Sequence, residues 1–559
     1  MIYPRNIKAK ILEAAIDTPA ILINGARQVG KSTLFKLLFE PEKSPKQITF
    51  DNYSALSAAK DSPESYVEGL PDRVLLDEIQ RAPELLIAIK ATIDESRRPG
   101  RFFLTGSTNL LMLPKLSESL AGRMEIKNLW PLSEGEIRGY KESFIDDLFN
   151  EKDLPDCDTI SETELLTRLV QGGYPEALHR EKKSRRYEWF ESYISTILQR
   201  EVRDIANIEK LSEIPLLLNL IATRTGATLN TSDFTREANI PNTTLKRYLS
   251  LLEAVFLTVT IPPWFSNKGK RLVKHPKLYI GDTGLLSYLL EVDEENLAKD
   301  RKLFGKFLEN FVLLELCKQL TWCDTRAKLF HLRSLDNSLE VDFVLEKTNG
   351  TICGIEVKSS SSVQGSEFKG LKELKSSAGK KFHRGIVLYT GKETIQFDKS
   401  LFALPITALW NFSDDERGFS FYGFRLGLSE DNFLQQLEAR QLPKPKLEKS
   451  NYPKYLKNYS VGKVPLLDAE VKWEPTFRFL ELDNAYKLYK IEGSAFASLD
   501  LVINKISEHY GSPTSTGKSK TWSWGGTEIL AIPKNNAEQL IYITHHKLNR
   551  KATEQMPRP

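Results

Sequence analysis

The sequence predicts a multidomain α/β protein, and three observations carry that prediction. A short apolar strand, Ile21–Ile23, runs into Gly25-Ala26-Arg27-Gln28-Val29-Gly30-Lys31-Ser32-Thr33 and then into a helical apolar pattern at Leu34, Phe35, Leu37 and Leu38. A second apolar strand, Arg73–Leu76, ends in the adjacent acids Asp77 and Glu78. Much later, Leu339–Leu345 and Ile352–Lys358 alternate as strands and place Asp342, Glu356 and Lys358 on them. At 559 residues the chain has room for about four domains, each with its own core. The expected order is a P-loop NTPase parallel sheet over 1–145, a helical and winged-helix region over 146–295 and a second α/β domain over 296–411. A linker with a short strand-helix and a basic segment over 412–465 and a small α+β domain over 466–559 follow.

The stretch Gly25–Ser32 reads G-x-x-x-x-G-K-S. Glycines at both ends let the backbone fold tightly, so that successive N–H groups converge on a phosphate at a helix N-terminus. In that arrangement Lys31 reaches the β- and γ-phosphates and the Ser32 hydroxyl ligates Mg²⁺. The strand before and the helix after are the context that the motif needs. The expected cofactors are therefore ATP and Mg²⁺, held by Gly25, Ala26, Arg27, Gln28, Val29, Gly30, Lys31, Ser32 and Thr33.

Charged residues make up 27% and hydrophobic residues 41%, and the net charge of +4 is too small over this length to name a partner. Four cysteines (Cys157, Cys317, Cys323, Cys353) show no C-x-x-C pair, which argues against a zinc site or a disulfide framework and fits a reducing cytoplasm. Met1–Arg5 lacks an apolar h-region and no uncharged apolar run approaches membrane-spanning length, so neither export nor a membrane is expected.

Taken in order, Gln47–Asp51 reads as a second strand. Asp77 at the carboxyl end of its strand can hold Mg²⁺, largely through water, and Glu78 can orient and polarise an attacking water. The alternative is a pair of acids opening a helix. Glu84–Ser96 has helical periodicity, and Arg101–Asn109 is a strand ending in Thr105, Ser107 and Asn109, any of which can sit beside a γ-phosphate or simply cap a helix. Arg123 can reach that phosphate in cis or from a neighbouring subunit of a homo-oligomer, or stand on the surface.

Together the strings GARQVGKSTL, LLDEIQRAPELLIAIK, FFLTGSTNLL and LAGR resemble a prokaryotic family of AAA+-like ATPases. The resemblance continues to about residue 411. It implies an ATPase followed by a helical and winged-helix region and a restriction-endonuclease-like domain.

Asp146–Thr163 is acidic and polar, as a linker would be, and Gln171–Glu176 is a turn that also resembles the family. Tyr187–Asn207 reads as a long helix containing Arg200 and Arg203, with Trp189, Tyr193, Ile197 and Leu198 at core spacing. Thr231–Val255 reads as a helix-turn-helix, with Ser232 capping a helix over Asp233–Ala238 and Asn242 or Thr243 capping one over Leu245–Val255. The stretch after it is basic: Lys268, Lys270, Arg271, Lys274 and Lys277, preceded by Trp264 and Phe265. It can be a wing on the DNA backbone with Thr244, Lys246 and Arg247 near a groove, or a packing surface with solvated lysines.

Side chains two apart on a strand share a face, so Glu356 and Lys358 point the same way. With Asp342 from the neighbouring strand and Glu309 from a preceding helix, carboxylates can gather around Mg²⁺ while Lys358 positions water. An acid on a helix, then D, then E-x-K resembles the PD-(D/E)XK nuclease core. Alternating charges on a strand edge, or a clamp that binds DNA without cutting it, give the same pattern. Gly385–Thr390 and Leu404–Trp410 are the expected closing strands.

Beyond Trp410 the resemblance stops. Phe421–Leu428 reads as a strand and Ser429–Leu437 as a helix. The lysine-, proline- and tyrosine-rich Arg440–Lys463 reads as a solvated linker or a nucleic-acid arm. Strands at Thr476–Leu482, Tyr486–Ile491, Thr521–Trp524, Glu528–Ile532 and Leu540–Thr544, with a helix at Phe496–His509, complete a domain that can serve a protein partner. His545-His546 is an isolated pair. The sequence thus points to a Mg²⁺-dependent ATPase coupled to DNA, or to an ATP-gated protein-interaction switch whose nuclease-like domain does not cleave.

Overall fold

Alternation of apolar residues with both parities builds the first sheet. Its strands are β1 (Ala20–Asn24), β2 (Lys46–Thr49), β3 (Val74–Asp77), β4 (Phe102–Gly106) and β5 (Met124–Asn128), ordered β2-β3-β4-β1-β5 with every neighbouring pair parallel. Ile21, Ile23, Leu75 and Phe103 enter one core layer, and Ala20, Leu22, Val74, Leu76, Phe102 and Leu104 enter another. A sheet buried on both faces needs this pattern. The helix Lys31–Leu38 covers the first face with Leu34 and Phe35, and Leu85–Glu95 covers the second with Leu85, Leu86 and Ile89. Parallel pairing sets the carboxyl ends of β1, β3 and β4 side by side on one edge.

These positions come from a computed structural model that describes residues 3–39, 45–107, 122–139, 141–150, 154, 160–202, 212–265, 275–333 and 340–410, and strands between 420 and 545. The chain divides into two compact units, Met1–Phe412 and Ser413–Pro559. No helix among the described residues is long and apolar enough to cross a membrane.

Between the two sheets of the first unit the expected linker is partly structured. Phe144–Leu148 is a helix that buries Phe144, Ile145 and Leu148, and Glu162–Gln171 begins at Ser161, whose side chain accepts from the Glu164 N–H. The acids of Asp146–Thr163 read as a linker, but the apolar residues interleaved with them are what dock that first helix. The long helix runs over Lys183–Thr196 and continues as a π-helical turn, Ile197–Val202, while the expected remainder with Arg203 lies outside the described residues.

The two expected short helices are present with different caps. Thr231–Ala238 is capped by Asn230, which accepts from the Ser232 N–H at 3.1 Å, so Ser232 lies inside the helix; Asn242–Ala254 follows Pro241. Asn239 takes the left-handed turn between them (φ 51°). An antiparallel hairpin follows, β6 (Thr258–Ile261) and β7 (Lys277–Ile280). Residues 266–274, with Lys268, Lys270, Arg271 and Lys274 of the expected wing, lie outside the described residues.

The second sheet of this unit contains β8 (Ala327–Arg333), β9 (Glu340–Lys347), β10 (Ile352–Lys358), β11 (Phe382–Tyr389), β12 (Ile395–Asp398) and β13 (Leu401–Pro405), in the order β12-β13-β11-β10-β9-β8. The β10–β11 and β11–β13 pairs are parallel and the others antiparallel. The helix Arg301–Gln319 packs beside it, and its apolar residues are buried on most faces.

The second unit contains an eight-stranded sheet with antiparallel pairing, including Val471–Leu482, Ala485–Phe496, Lys520–Trp524, Thr527–Asn535 and Glu538–His545. The segment expected to be a basic linker contributes Lys446–Glu448 and Leu456–Ser460 to that sheet. Its tyrosines favour strands as readily as its lysines suggest a linker. The helix expected at 429–437 lies outside the described residues, as does that expected at 496–509 except for Phe496, which ends the strand Ala485–Phe496.

Candidate functional site

The loop after β1 is shaped by its two glycines for different reasons. Gly30 sits at φ 94°, a left-handed conformation that glycine adopts without strain. Gly25 is required by crowding, because a Cβ there would lie 2.1 Å from the Leu129 carbonyl oxygen. That carbonyl is held close by the Leu129 N–H, which donates to Asn24 O at 2.7 Å. Helix Lys31–Leu38 starts directly after Gly30 without a side-chain cap, so its first N–H groups have no side-chain acceptor from that residue. Buried Lys31 donates to the carbonyl oxygens of Gly25 and Ala26, each at 2.9 Å.

The sheet brings the second half of the site to this loop. The Ser32 hydroxyl donates to the Asp77 carboxylate at 3.3 Å, across the edge from β1 to β3. Thr105 on the intervening strand β4 is fully buried, and its hydroxyl donates to Asp77 and accepts from the Glu78 N–H at 3.2 Å. Glu78 lies beyond the end of β3 with φ 60° and ψ 47°, a left-handed conformation that costs a non-glycine residue about 1–2 kcal/mol. That turn directs its side chain to Gln80, which donates to Glu78 and, at 2.9 Å, to Ser107 Oγ. Loop, hydroxyl, two acids and two further hydroxyls therefore converge at one edge. The donor set, a buried ammonium and uncapped helix N–H groups beside a hydroxyl–carboxylate pair, fits a nucleoside triphosphate with Mg²⁺. Asn109 lies outside the described residues.

Arg123 is placed elsewhere. Its carbonyl accepts from the Ala20 N–H at the start of β1, and its guanidinium is paired with Asp94 at 2.9 Å. The loop follows the other end of β1, so the expectation that Arg123 reaches a phosphate in cis is corrected by the parallel pairing of β1 with β5.

Sequence reasoning missed Gln80 and Tyr193 here. Tyr193, read as a core residue of its helix, donates to the Arg27 carbonyl of the loop at 3.4 Å, and its hydroxyl lies 3.0 Å from that of Tyr174. Gln80 was legible, since it sits two residues past Glu78 at the mouth of a strand. Tyr193 was not, because helical spacing looks the same for a tyrosine that packs and one that also reports on a loop.

The second constellation gathers as expected and then departs from expectation at its centre. Glu309 comes from the helix Arg301–Gln319, Asp342 from β9, and Glu356 and Lys358 from β10. The Val357 N–H donates to Asp342 Oδ2 at 2.9 Å, and Lys358 pairs with Glu356 at 2.7 Å. Lys277, expected on a DNA-facing wing, is 1% exposed and lies inside this cluster, 2.9 Å from Glu309, 2.7 Å from Glu340 and 3.5 Å from Asp342. Tyr279, two residues on and on the same side of β7, donates to Glu309 at 2.7 Å. Among the described residues no group of three or more His, Cys, Asp or Glu side chains is arranged to hold a metal ion. In this arrangement the carboxylates of the expected metal set, Glu309, Asp342 and Glu356, are paired with lysines. An ammonium bridges the first two, and Glu356 is turned onto Lys358.

Burial, followed by the charge of Asp342, pushes the Glu309 carboxyl up to about 7 and that of Glu356 up to about 8. For Lys277, burial acts to lower the pKa, but Glu309, Asp342 and Glu340 outweigh it and hold the ammonium above its ordinary value. Two signals could have found this centre. Glu340 and Asp342 are two apart on one strand, as are Lys277 and Tyr279, and such pairs share a face.

Comparison with known proteins follows the same division. Residues 17–138 match the AAA domain family, 162–296 a domain of unknown function (DUF8612) and 304–409 a second domain of unknown function (DUF4143). The uncharacterized protein Rv2008c of Mycobacterium tuberculosis is 28% identical over 408 residues, which cover 72% of this chain and 84% of that one. The uncharacterized protein MJ1544 of Methanocaldococcus jannaschii is 25% identical over 327 residues, covering 56% and 68%. Among solved structures, a RuvB variant of Thermotoga maritima aligns with 46% of this chain and 89% of its own at 17% identity and a TM-score of 0.23. The residues that match the AAA domain family, 17–138, contain the five-stranded parallel sheet and the loop after β1.

Proposed function

We propose that the chain is a Mg²⁺-dependent ATPase that couples its nucleotide state to a DNA-binding winged helix and a restriction-endonuclease-like domain. The observation that carries the ATPase reading is the meeting of Lys31, Ser32, Asp77, Glu78 and Thr105 at the carboxyl edge of β1, β3 and β4. ATP would be the substrate, and Mg²⁺ when bound would supply counter-charge to its phosphates. Lys31 gives up its two backbone carbonyls for phosphate oxygens, and the N–H groups from Gly25 to Thr33 surround them. Ser32 and Asp77 would hold the metal, with Thr105 fixing the Asp77 carboxylate. Glu78, released from Gln80, orients water and takes up its proton. Arg123 serves only a neighbouring copy's site, and Asn109 is a further contact to the nucleotide.

Coupling runs through Tyr193, whose hydroxyl meets the loop at Arg27 and belongs to the helix that leads into the π-helical turn Ile197–Val202. The DNA reading is supported by the order of two short helices and a hairpin, and by exposed Lys246 and Arg247 on the second helix. The basic residues Lys268, Lys270, Arg271 and Lys274 would add phosphate contacts.

ATP turnover by the purified chain in Mg²⁺ tests the core of this reading. Wild type hydrolyses ATP, Lys31→Ala loses nucleotide binding, and Glu78→Gln binds without turning over. Equal turnover in wild type and Lys31→Ala overturns it. A second reading, an ATP-gated switch whose nuclease-like domain does not cleave, is favoured by the Lys277 ammonium among Glu309, Glu340 and Asp342.

A further inference from the structure

We propose that Lys277 is a built-in cation that plugs the acid cluster, so that the β6–β7 hairpin controls whether a divalent cation reaches Asp342 and Glu356. This rests on the reading of the domain over 296–411 as nuclease-like.

The lysine comes from outside the sheet whose carboxylates it meets. It opens β7, whereas Asp342 and Glu356 lie on β9 and β10. Its ammonium touches Glu309, Glu340 and Asp342. A divalent cation bridging Glu309 and Asp342 would have to lie within a few ångströms of it. At about 3 Å a unit positive charge repels such an ion strongly in a site shielded from water, and Asp342 and Glu356 are only 8% and 9% exposed. Lys277 is not the E-x-K lysine either, because Lys358 already holds that place beside Glu356.

Both strands of the hairpin are tied down, and each tie identifies what would move the plug. On the incoming side Trp264 is buried among Phe330, Val341 and Val344, its indole N–H donates to Glu346 at 3.1 Å, and its backbone N–H donates to His331 O at 2.6 Å. On the returning side, residues 276–278 bond to the segment just ahead of the two short helices. Leu229 N donates to Pro276 O at 2.7 Å, Gly226 N to Leu278 O at 3.0 Å, and Leu278 N to Ala227 O at 3.2 Å. The backbone of Lys277 is therefore continuous, through backbone hydrogen bonds, with the base of the helix pair. A ligand that tilts the helix pair draws on the ammonium directly, while Trp264 keeps the other strand in place.

The test is Mn²⁺ binding to the full chain without nucleotide, in an Asp77→Asn background so that the nucleotide site contributes no signal. The chain with Lys277 intact is expected to bind no Mn²⁺ at the cluster. Lys277→Met, which keeps the stem and removes the charge, is expected to gain one site, tighter by about a hundredfold or more. Lys277→Arg is expected to gain none, and adding Asp342→Asn to Lys277→Met is expected to abolish the gain. Mn²⁺ binding with Lys277 intact that Asp342→Asn removes would overturn the plug while leaving the nuclease-like reading intact. A folded Lys277→Met chain that binds no Mn²⁺ would overturn both. Should the neutral variant fail to fold, amine acetylation of the Asp77→Asn chain reads the same contact. Lys277 is expected to stay unlabelled with and without Mn²⁺, and labelling as fast as at exposed lysines contradicts the proposal.

Discussion

Two buried lysines, Lys31 and Lys277, show how the same side chain prepares one site and closes another. Lys31 rests on two backbone carbonyls, and the carboxylate nearest its loop, Asp77, is held by the hydroxyls of Ser32 and Thr105. These carbonyls and hydroxyls are neutral groups that an anionic ligand and its metal can replace. Lys277 lies directly on three carboxylates. Its charge is already matched, so an incoming cation must displace it rather than fill a place kept open. A lysine beside acids is thus no evidence of readiness until the partner of its ammonium is known.

The largest expected effect falls on the first lysine. Lys31→Ala lowers ATP kcat/KM by about a thousandfold or more, and Glu78→Gln lowers kcat by about 10²–10⁴-fold with nucleotide affinity kept, as initial-rate and nucleotide-binding measurements would show. Equal losses in affinity for both variants would break the distinction between holding phosphate and directing water. Lys277→Met comes next. Removing one partner from a buried ion cluster costs about 3–5 kcal/mol, read as a lower denaturant midpoint for the first unit. A cost near zero would mean that the ammonium is not what the acids are built around. Thr105→Val removes a donor to Asp77 and an acceptor for Glu78 N, costs about 1–3 kcal/mol and slows turnover more than it weakens ATP binding.

The smallest effect is a pH slope. Carboxyls raised to about 7 at Glu309 and about 8 at Glu356 make the folded chain bind protons that the unfolded chain does not. Stability from this source is complete below the ordinary carboxyl value and is lost as pH rises through the folded values. The thermal midpoint therefore rises as pH falls from about 9 to 7, and Glu356→Gln flattens the rise. Below about 6.5 the trend is opposed by His331, which burial and then Lys277 lower to about 4, because the unfolded chain takes up that proton first.

The legibility of the two sites in the sequence differed for a physical reason. Gly25–Ser32 and Asp77-Glu78 could be read because each half of the nucleotide site is contiguous and its spacing is imposed by one strand, one turn and one helix. The acid cluster was legible as far as its own sheet and helix supplied it, through Glu309, Asp342, Glu356 and Lys358. Lys277 lies 65 residues from Asp342 and begins a strand of the preceding hairpin, and among neighbouring basic residues it looked like part of a wing. Arg123 was misplaced in cis because sequence order does not say at which end of a parallel strand a residue lies. The basic segment Arg440–Lys463 read as a linker because composition outweighed its alternation, and pairing of Leu456–Ser460 with Val471–Leu482 makes it a strand.

One assay tests the contrast most directly: supercoiled plasmid incubated with the full chain, ATP and Mg²⁺ or Mn²⁺, with phosphate release and DNA nicking followed in the same tube. The account predicts steady ATP hydrolysis with the plasmid intact, and nicking that appears in Lys277→Met and disappears when Lys358→Ala is added. Metal-dependent nicking by the wild-type chain without ATP, abolished by Lys358→Ala, would contradict it, because the acid cluster would then be open with Lys277 in place.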